Sequence, residues 1–131
     1  MDLRSAPVLG VISAGGVLGA LARYGIAAAW PHAAGAFPWS TLVINVTGCF
    51  LIGALMVIVT RVAPDQKLLR PFVGVGILGG YTTFSTSIAD FYQAAGAGSP
   101  WVALACLGLT LLGALAAVWA GTELTGRLVR A

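Results

Sequence analysis

The chain is poor in charge. Only 8% of its 131 residues are Asp, Glu, Lys or Arg, against roughly a quarter in a soluble domain. With 59% hydrophobic residues and a mean hydropathy of +0.95, it has too little polar surface to cover itself in water. An ordinary soluble globule is excluded, and an integral membrane protein is expected. Acids are scarcer still: Asp2, Asp65, Asp90 and Glu123 all fall at or beyond the ends of the apolar segments. A proton-coupled exporter of small cations needs a carboxylate inside the membrane to exchange proton for substrate. Their placement therefore argues against the small multidrug exporters, the nearest competing class by size. The single histidine, His32, lies in a short connection and reads as a solvated loop side chain. The two cysteines, Cys49 and Cys106, lie within apolar segments and read as small core residues, not as a disulfide or a metal site. There is no serine–histidine–acid set, no metal-ligand cluster, no Walker or Rossmann glycine pattern, and no basic run suited to nucleic acid. Enzyme chemistry is not expected.

What is present is four apolar segments, over about 8–29, 41–60, 71–92 and 101–120. Each is about twenty residues, the length a helix needs to cross a bilayer. The expected architecture is a single all-α domain, residues 1–131, of four transmembrane helices joined by very short loops. In the first segment Gly15, Gly19 and Arg23 are four apart and share a face, and Gly15-xxx-Gly19 is a close-packing pattern. A charge such as Arg23 costs about 2.5–3.5 kcal/mol within a membrane helix. It either snorkels to the interface or draws anions to a vestibule. Trp30 and Trp39 suit an interfacial belt. In the second segment Thr41, Asn45 and Gly48 share a face, which reads equally as interhelical glue or as pore lining. In the fourth, Gly113, Ala117 and Gly121 form one small-residue face, and Cys106, Thr110 and Ala114 another.

The third segment carries the informative run, Gly79-Gly80-Tyr81-Thr82-Thr83-Phe84-Ser85-Thr86-Ser87. Two adjacent glycines and five serines and threonines weaken a continuous helix, because glycine is flexible and Ser and Thr compete for backbone hydrogen bonds. Loosened backbone at membrane depth is tolerated only where protein or a water-filled cavity covers it, and such breaks mark ion or substrate sites. A third helix broken near the bilayer middle is expected. With four spans, both termini and the middle loop share a side, which holds Arg4, Arg61, Lys67, Arg70, Arg127 and Arg130. The positive-inside rule makes that side cytoplasmic. Hydroxyls, one amide and aromatic rings, with a positive charge at one end, donate hydrogen bonds without adding negative charge. That suits a small anion.

These stretches carry a resemblance. Gly79 to Thr86 resembles the GGxTTFST motif of the Fluc (CrcB) fluoride channels. The run from Gly15 to Tyr24 resembles that family's first-helix GGxxGAxxRY pattern, and Trp39 to Phe50 its second-helix TLxVNxxGxF pattern. The resemblance spans nearly the whole chain. It implies an antiparallel dual-topology dimer in the cell membrane, passing fluoride out of the cytoplasm. It also implies a structural Na⁺ at the two-fold axis, held by main-chain carbonyls that fall here on Gly79 and Thr82. It places Asn45, Phe84, Ser85, Thr86 and, by a looser alignment, Thr110 along a fluoride pathway, with Arg23 as the first-helix arginine. Two positions depart from the pattern: Ser87 stands where the family carries a second phenylalanine, and Cys106 where it carries a fourth-helix tyrosine. With the one-sided distribution of basic residues, these departures raise an alternative to the homodimer. The chain would then be one subunit of a pair with an oppositely oriented paralogue, one of whose pathways is impaired.

Overall fold

The structure, a computed structural model, describes residues 5–131. Arg4, counted above with the basic side, and Asp2 lie outside the described residues. Four helices are long and apolar enough to cross a membrane: α1 (Ala6–Ala29), α2 (Trp39–Val62), α3 (Arg70–Gly96) and α4 (Pro100–Arg130). There is no strand among the described residues. Pro7, Pro71 and Pro100 each occupy the first turn of a helix, where a missing N–H costs nothing and the fixed φ fits. Ser99 stands at the N-cap of α4, although its side chain makes no capping bond. The turn into α4 passes through Gly98 at φ +80°, a left-handed conformation that glycine adopts without strain.

Boundaries differ from those expected in two places. α4 continues through the polar stretch from Glu123 to Arg130 and reaches 31 residues. Those residues contain no proline and are mostly good helix formers, so the helix does not stop where hydrophobicity does. The end of α2, Ile58–Val62, and the start of α3, Arg70–Leu78, are wound in the wider i→i+5 pattern. Ala63 N–H, for example, donates to the Ile58 carbonyl at 2.9 Å.

Small residues set the packing. α1 buries little except Gly15 and Gly19. A Cβ on Gly19 would collide with the Ile77 carbonyl, one on Gly15 with the Phe72 carbonyl, and one on Gly80 with the Gly16 carbonyl. Backbone thus lies on backbone between α1 and the first half of α3. On the other side α2 packs along α4. Here Gly121 faces the Phe50 carbonyl and Gly53 the Val118 carbonyl, each with no room for a Cβ. The small-residue faces of the first and fourth segments are therefore both seams, one toward α3 and one toward α2.

α3 changes partners along its length. Its first half packs on α1, and its second half, Ser85–Gly96, packs on α4. Between them residues 82–84 leave the helical conformation: Thr82 N–H still donates to the Leu78 carbonyl at 3.0 Å, but Thr82 itself is extended at φ −78°, ψ 152°.

Candidate functional site

The non-helical turn of α3 is laced to α2 by one side chain. Asn45 is buried, 6% exposed. Its Oδ1 accepts from Thr83 N–H at 2.8 Å, and its Nδ2 donates to the Thr83 carbonyl at 2.9 Å. The second Nδ2 hydrogen goes to Ser87 Oγ at 3.2 Å. Asn45 thus satisfies both backbone groups of one residue, as a neighbouring strand would. Gly48, one turn on, leaves room for the Thr82 methyl and the Tyr81 ring to settle against α2. Thr47 Oγ1 and Tyr81 Oη meet at 2.9 Å.

This lacing redirects two backbone donors. In an unbroken helix Thr83 N–H would bond the Gly79 carbonyl, and Thr86 N–H the Thr82 carbonyl. Thr83 N–H goes instead to Asn45 Oδ1, and Thr86 N–H to Thr83 Oγ1 at 3.2 Å. The carbonyls of Gly79 and Thr82 lose their helical donors together. Two such carbonyl oxygens are the ligand type that a hard cation takes.

Beside the lacing lies an open groove of about 460 Å³ between α2, α3 and α4. Asn45, Thr82, Phe84, Ser87 and Thr110 line it, among apolar neighbours. Of the site residues named from the sequence, it brings together Asn45, Thr82, Phe84 and Thr110. Phe84 is 70% exposed, so its ring forms an outer wall of the groove on the single chain. Thr110 is buried, and its hydroxyl oxygen has no hydrogen-bond partner of ordinary geometry. Cys106, one turn back on the same helix, is also buried, but a thiol is a weak partner. An unsatisfied buried hydroxyl costs about 1–3 kcal/mol, so a group entering the groove would find a donor waiting. Arg23 and Thr86 share a second cavity, of about 240 Å³, with Thr41 and Thr83. Arg23 is half-buried and has no carboxylate within ion-pair distance among the described residues. Ser85 is exposed and lines neither cavity. Among the described residues no group of three His, Cys, Asp or Glu side chains could hold a metal ion.

Three groups take positions that the sequence did not suggest. Ser87, read as a departure from the aromatic pattern, is 1% exposed and is the partner of Asn45. Its own hydroxyl reaches the Thr83 carbonyl only at a long 3.4 Å. Asp90, expected at the interface, is buried, and its Oδ2 accepts from Thr41 Oγ1 at 2.6 Å. His32, expected to be solvated, places Nε2 3.4 Å from Asp90 Oδ1 and is 22% exposed. Asp90→Ala would leave the buried Thr41 hydroxyl unpaired at a cost of about 1–3 kcal/mol. We expect a lower melting temperature in detergent for Asp90→Ala and near-native melting for Asp90→Asn, which still accepts the bond. Equal melting of the two would show that the Thr41 contact contributes nothing.

The chain matches the family model described as "CrcB-like protein, Camphor Resistance (CrcB)" over residues 10–122. It is 52% identical to the fluoride-specific ion channel FluC 2 of Streptomyces avermitilis over 81% of this chain and 67% of that one. It is 49% identical to the protein of the same name in Thermobifida fusca, over 94% of this chain and 91% of the relative. A third of that name, in Nocardia farcinica, is 52% identical over 88% and 82% of the two chains.

Proposed function

The chain belongs to the CrcB family, and on that premise we propose that it is a multi-pass membrane protein forming a passive, fluoride-specific ion channel. The channel lowers cytoplasmic fluoride; paired with an oppositely oriented paralogue, this chain has its termini on the cytoplasmic side. The observation that carries this reading is the juxtaposition, in one groove, of the Asn45-laced turn and the unpartnered Thr110 hydroxyl.

Fluoride holds its water tightly, so a pathway must offer hydrogen-bond donors in replacement while adding no negative charge. Both Nδ2 hydrogens of Asn45 are already engaged. In this reading Asn45 acts as the clamp that shapes the turn, and the ion meets Ser87 and Thr110. Ser87 accepts from Asn45, and its long bond to Thr83 is easily exchanged for a bond to an anion. The positive edge of the Phe84 ring faces the ion without a formal charge. Arg23 raises the local anion concentration at the mouth of the second cavity, where Thr86 adds a hydroxyl.

The carbonyls of Gly79 and Thr82 would hold the structural Na⁺, and the same two atoms from an antiparallel copy would complete its shell as an isologous contact requires. Bound there, Na⁺ supplies charge that fixes two turns against each other and is not transported. The redirected N–H groups support this assignment. Phe84 and the open side of the groove give a second copy, or an oppositely oriented paralogue, an apolar wall to close.

Purified protein in liposomes is expected to release fluoride and retain chloride. Absence of fluoride release from the chain alone, restored by a paralogue, would establish the two-chain form. Thr110→Val removes an unpaired hydroxyl at nearly constant shape. It is expected to melt within about 1 kcal/mol of the parent and to lose roughly tenfold in fluoride efflux, one donor's worth. Unchanged efflux would remove Thr110 from the pathway.

A further inference from the structure

At the end of the bundle opposite His32, three arginines converge on a cavity of about 60 Å³. Arg61 comes from the last turn of α2, and Arg127 and Arg130 come from the last turn of α4. Arg61 reaches across to α4 at Gly126, where its Nη1 would stand 3.8 Å from a Cβ, an ordinary contact distance. Glu123 is the one carboxylate lining the cavity. Its Oε2 is 3.9 Å from Arg127 Nε, and the two side chains are 48% and 75% exposed, so this pair holds little.

The arginines have a simpler task to be set against any ligand. α2 and α4 both end here, and each helix end carries about half a negative charge that nearby cations offset. Those two ends and Glu123 together account for about two of the three positive charges. An excess of about one remains. The cavity has room for a group of about two waters' volume. A phosphodiester carries one negative charge and presents two free oxygens, matching both the excess and the guanidinium fork. A free phosphate dianion exceeds the available charge. The cavity also lies at the ends of two spanning helices, where lipid headgroups gather and basic pockets between helices take their phosphates. Lys67, on the connection at this same end, and Arg70, at the start of α3, outweigh Asp65 and add to the attraction.

We propose that this cavity binds the phosphodiester of an anionic membrane lipid, with Arg61, Arg127 and Arg130 as its donors. The lipid joins the ends of α2 and α4 from the basic side of the protein, independently of the ion pathway.

The test is thermal unfolding of the whole protein in neutral detergent with added phosphatidylglycerol, phosphatidylcholine or inorganic phosphate. Phosphatidylglycerol is expected to raise the midpoint by several degrees, less so at high salt, and the other two to leave it unchanged. An Arg61→Gln/Arg127→Gln variant is expected to melt as the parent does without lipid and to lose the shift. Glu123→Gln removes the competing carboxylate and is expected to strengthen phosphatidylglycerol binding two- to threefold, an effect that a misfolded variant could not produce. Equal shifts from the two lipids, or a phosphatidylglycerol shift that survives in the double variant, would overturn the proposal. A shift from inorganic phosphate equal to that from phosphatidylglycerol would overturn the lipid assignment.

Discussion

Asn45→Ala is expected to reduce fluoride efflux by about a hundredfold while leaving a folded protein. The alanine removes three hydrogen bonds, two of them to the N–H and carbonyl of Thr83. Backbone groups left without partners cost about 1–3 kcal/mol each, and about 3 kcal/mol against the competent turn conformation is roughly a hundredfold in its population. Thr83 N–H, freed of Asn45, can return to the Gly79 carbonyl. The mutation therefore favours an ordinary helix across the break, and global folding survives through the glycine seams. Asn45→Asp separates the two halves of the lacing. A carboxylate still accepts from Thr83 N–H, but its second oxygen faces the Thr83 carbonyl and it adds a negative charge to an anion path. We expect Asp to be as damaging as Ala. Flux assays in liposomes, run on variants that remain monodisperse, decide the matter. Efflux within threefold of the parent in either variant would mean that the turn does not depend on Asn45.

Gly19→Ala is expected to produce the largest loss of stability of any single-methyl substitution in the chain. The added carbon would overlap the Ile77 carbonyl and stand 2.8 Å from Tyr81 N. These are backbone atoms that cannot rotate away, so α1 must separate from α3. Overpacking of this kind costs about 1–3 kcal/mol or more, a fall on the order of 10 °C in melting temperature. Gly80→Ala meets the Gly16 carbonyl and should behave alike. The internal control is Gly16→Ala, three residues before Gly19 on the same helix. It meets nothing within 4 Å, and alanine's better helix propensity, about 1 kcal/mol over glycine, should make it neutral or slightly stabilising. If Gly16→Ala and Gly19→Ala melt together, the seam does not hold α1 to α3.

Much of this arrangement was legible in the residues themselves. Apolar length gives the four spans, and glycines four apart give the seams, because a missing side chain reports directly on how near a neighbour can come. The run from Gly79 to Ser87 announced a weak stretch of helix through its composition. What could not be read was who partners whom. Asp90 lies 49 residues from Thr41 and 58 from His32, and no local pattern joins them. The amide of Asn45 read equally as interhelical glue or as pore lining, and its partners, Thr83 and Ser87, could not be named from the sequence. Ser87 read as a gap in an aromatic wall because family pattern was the only guide there, yet its size is what lets Asn45 reach it. The end of α4 was missed for a physical reason too: hydrophobicity reports where lipid stops, and a helix of Glu, Leu and Arg has no cause to stop with it.

Where Gly15, Gly19, Gly76 and Gly80 meet, the seam between α1 and the first half of α3 is backbone on backbone, with no rotamers to exchange there. Across residues 82–87 the opposite holds, for the contacts are hydroxyls and an amide that can trade one partner for another by turning about a single bond. The molecule is a stiff frame holding a short adjustable stretch, and whatever rearrangement accompanies a passing solute has only those torsions in which to occur.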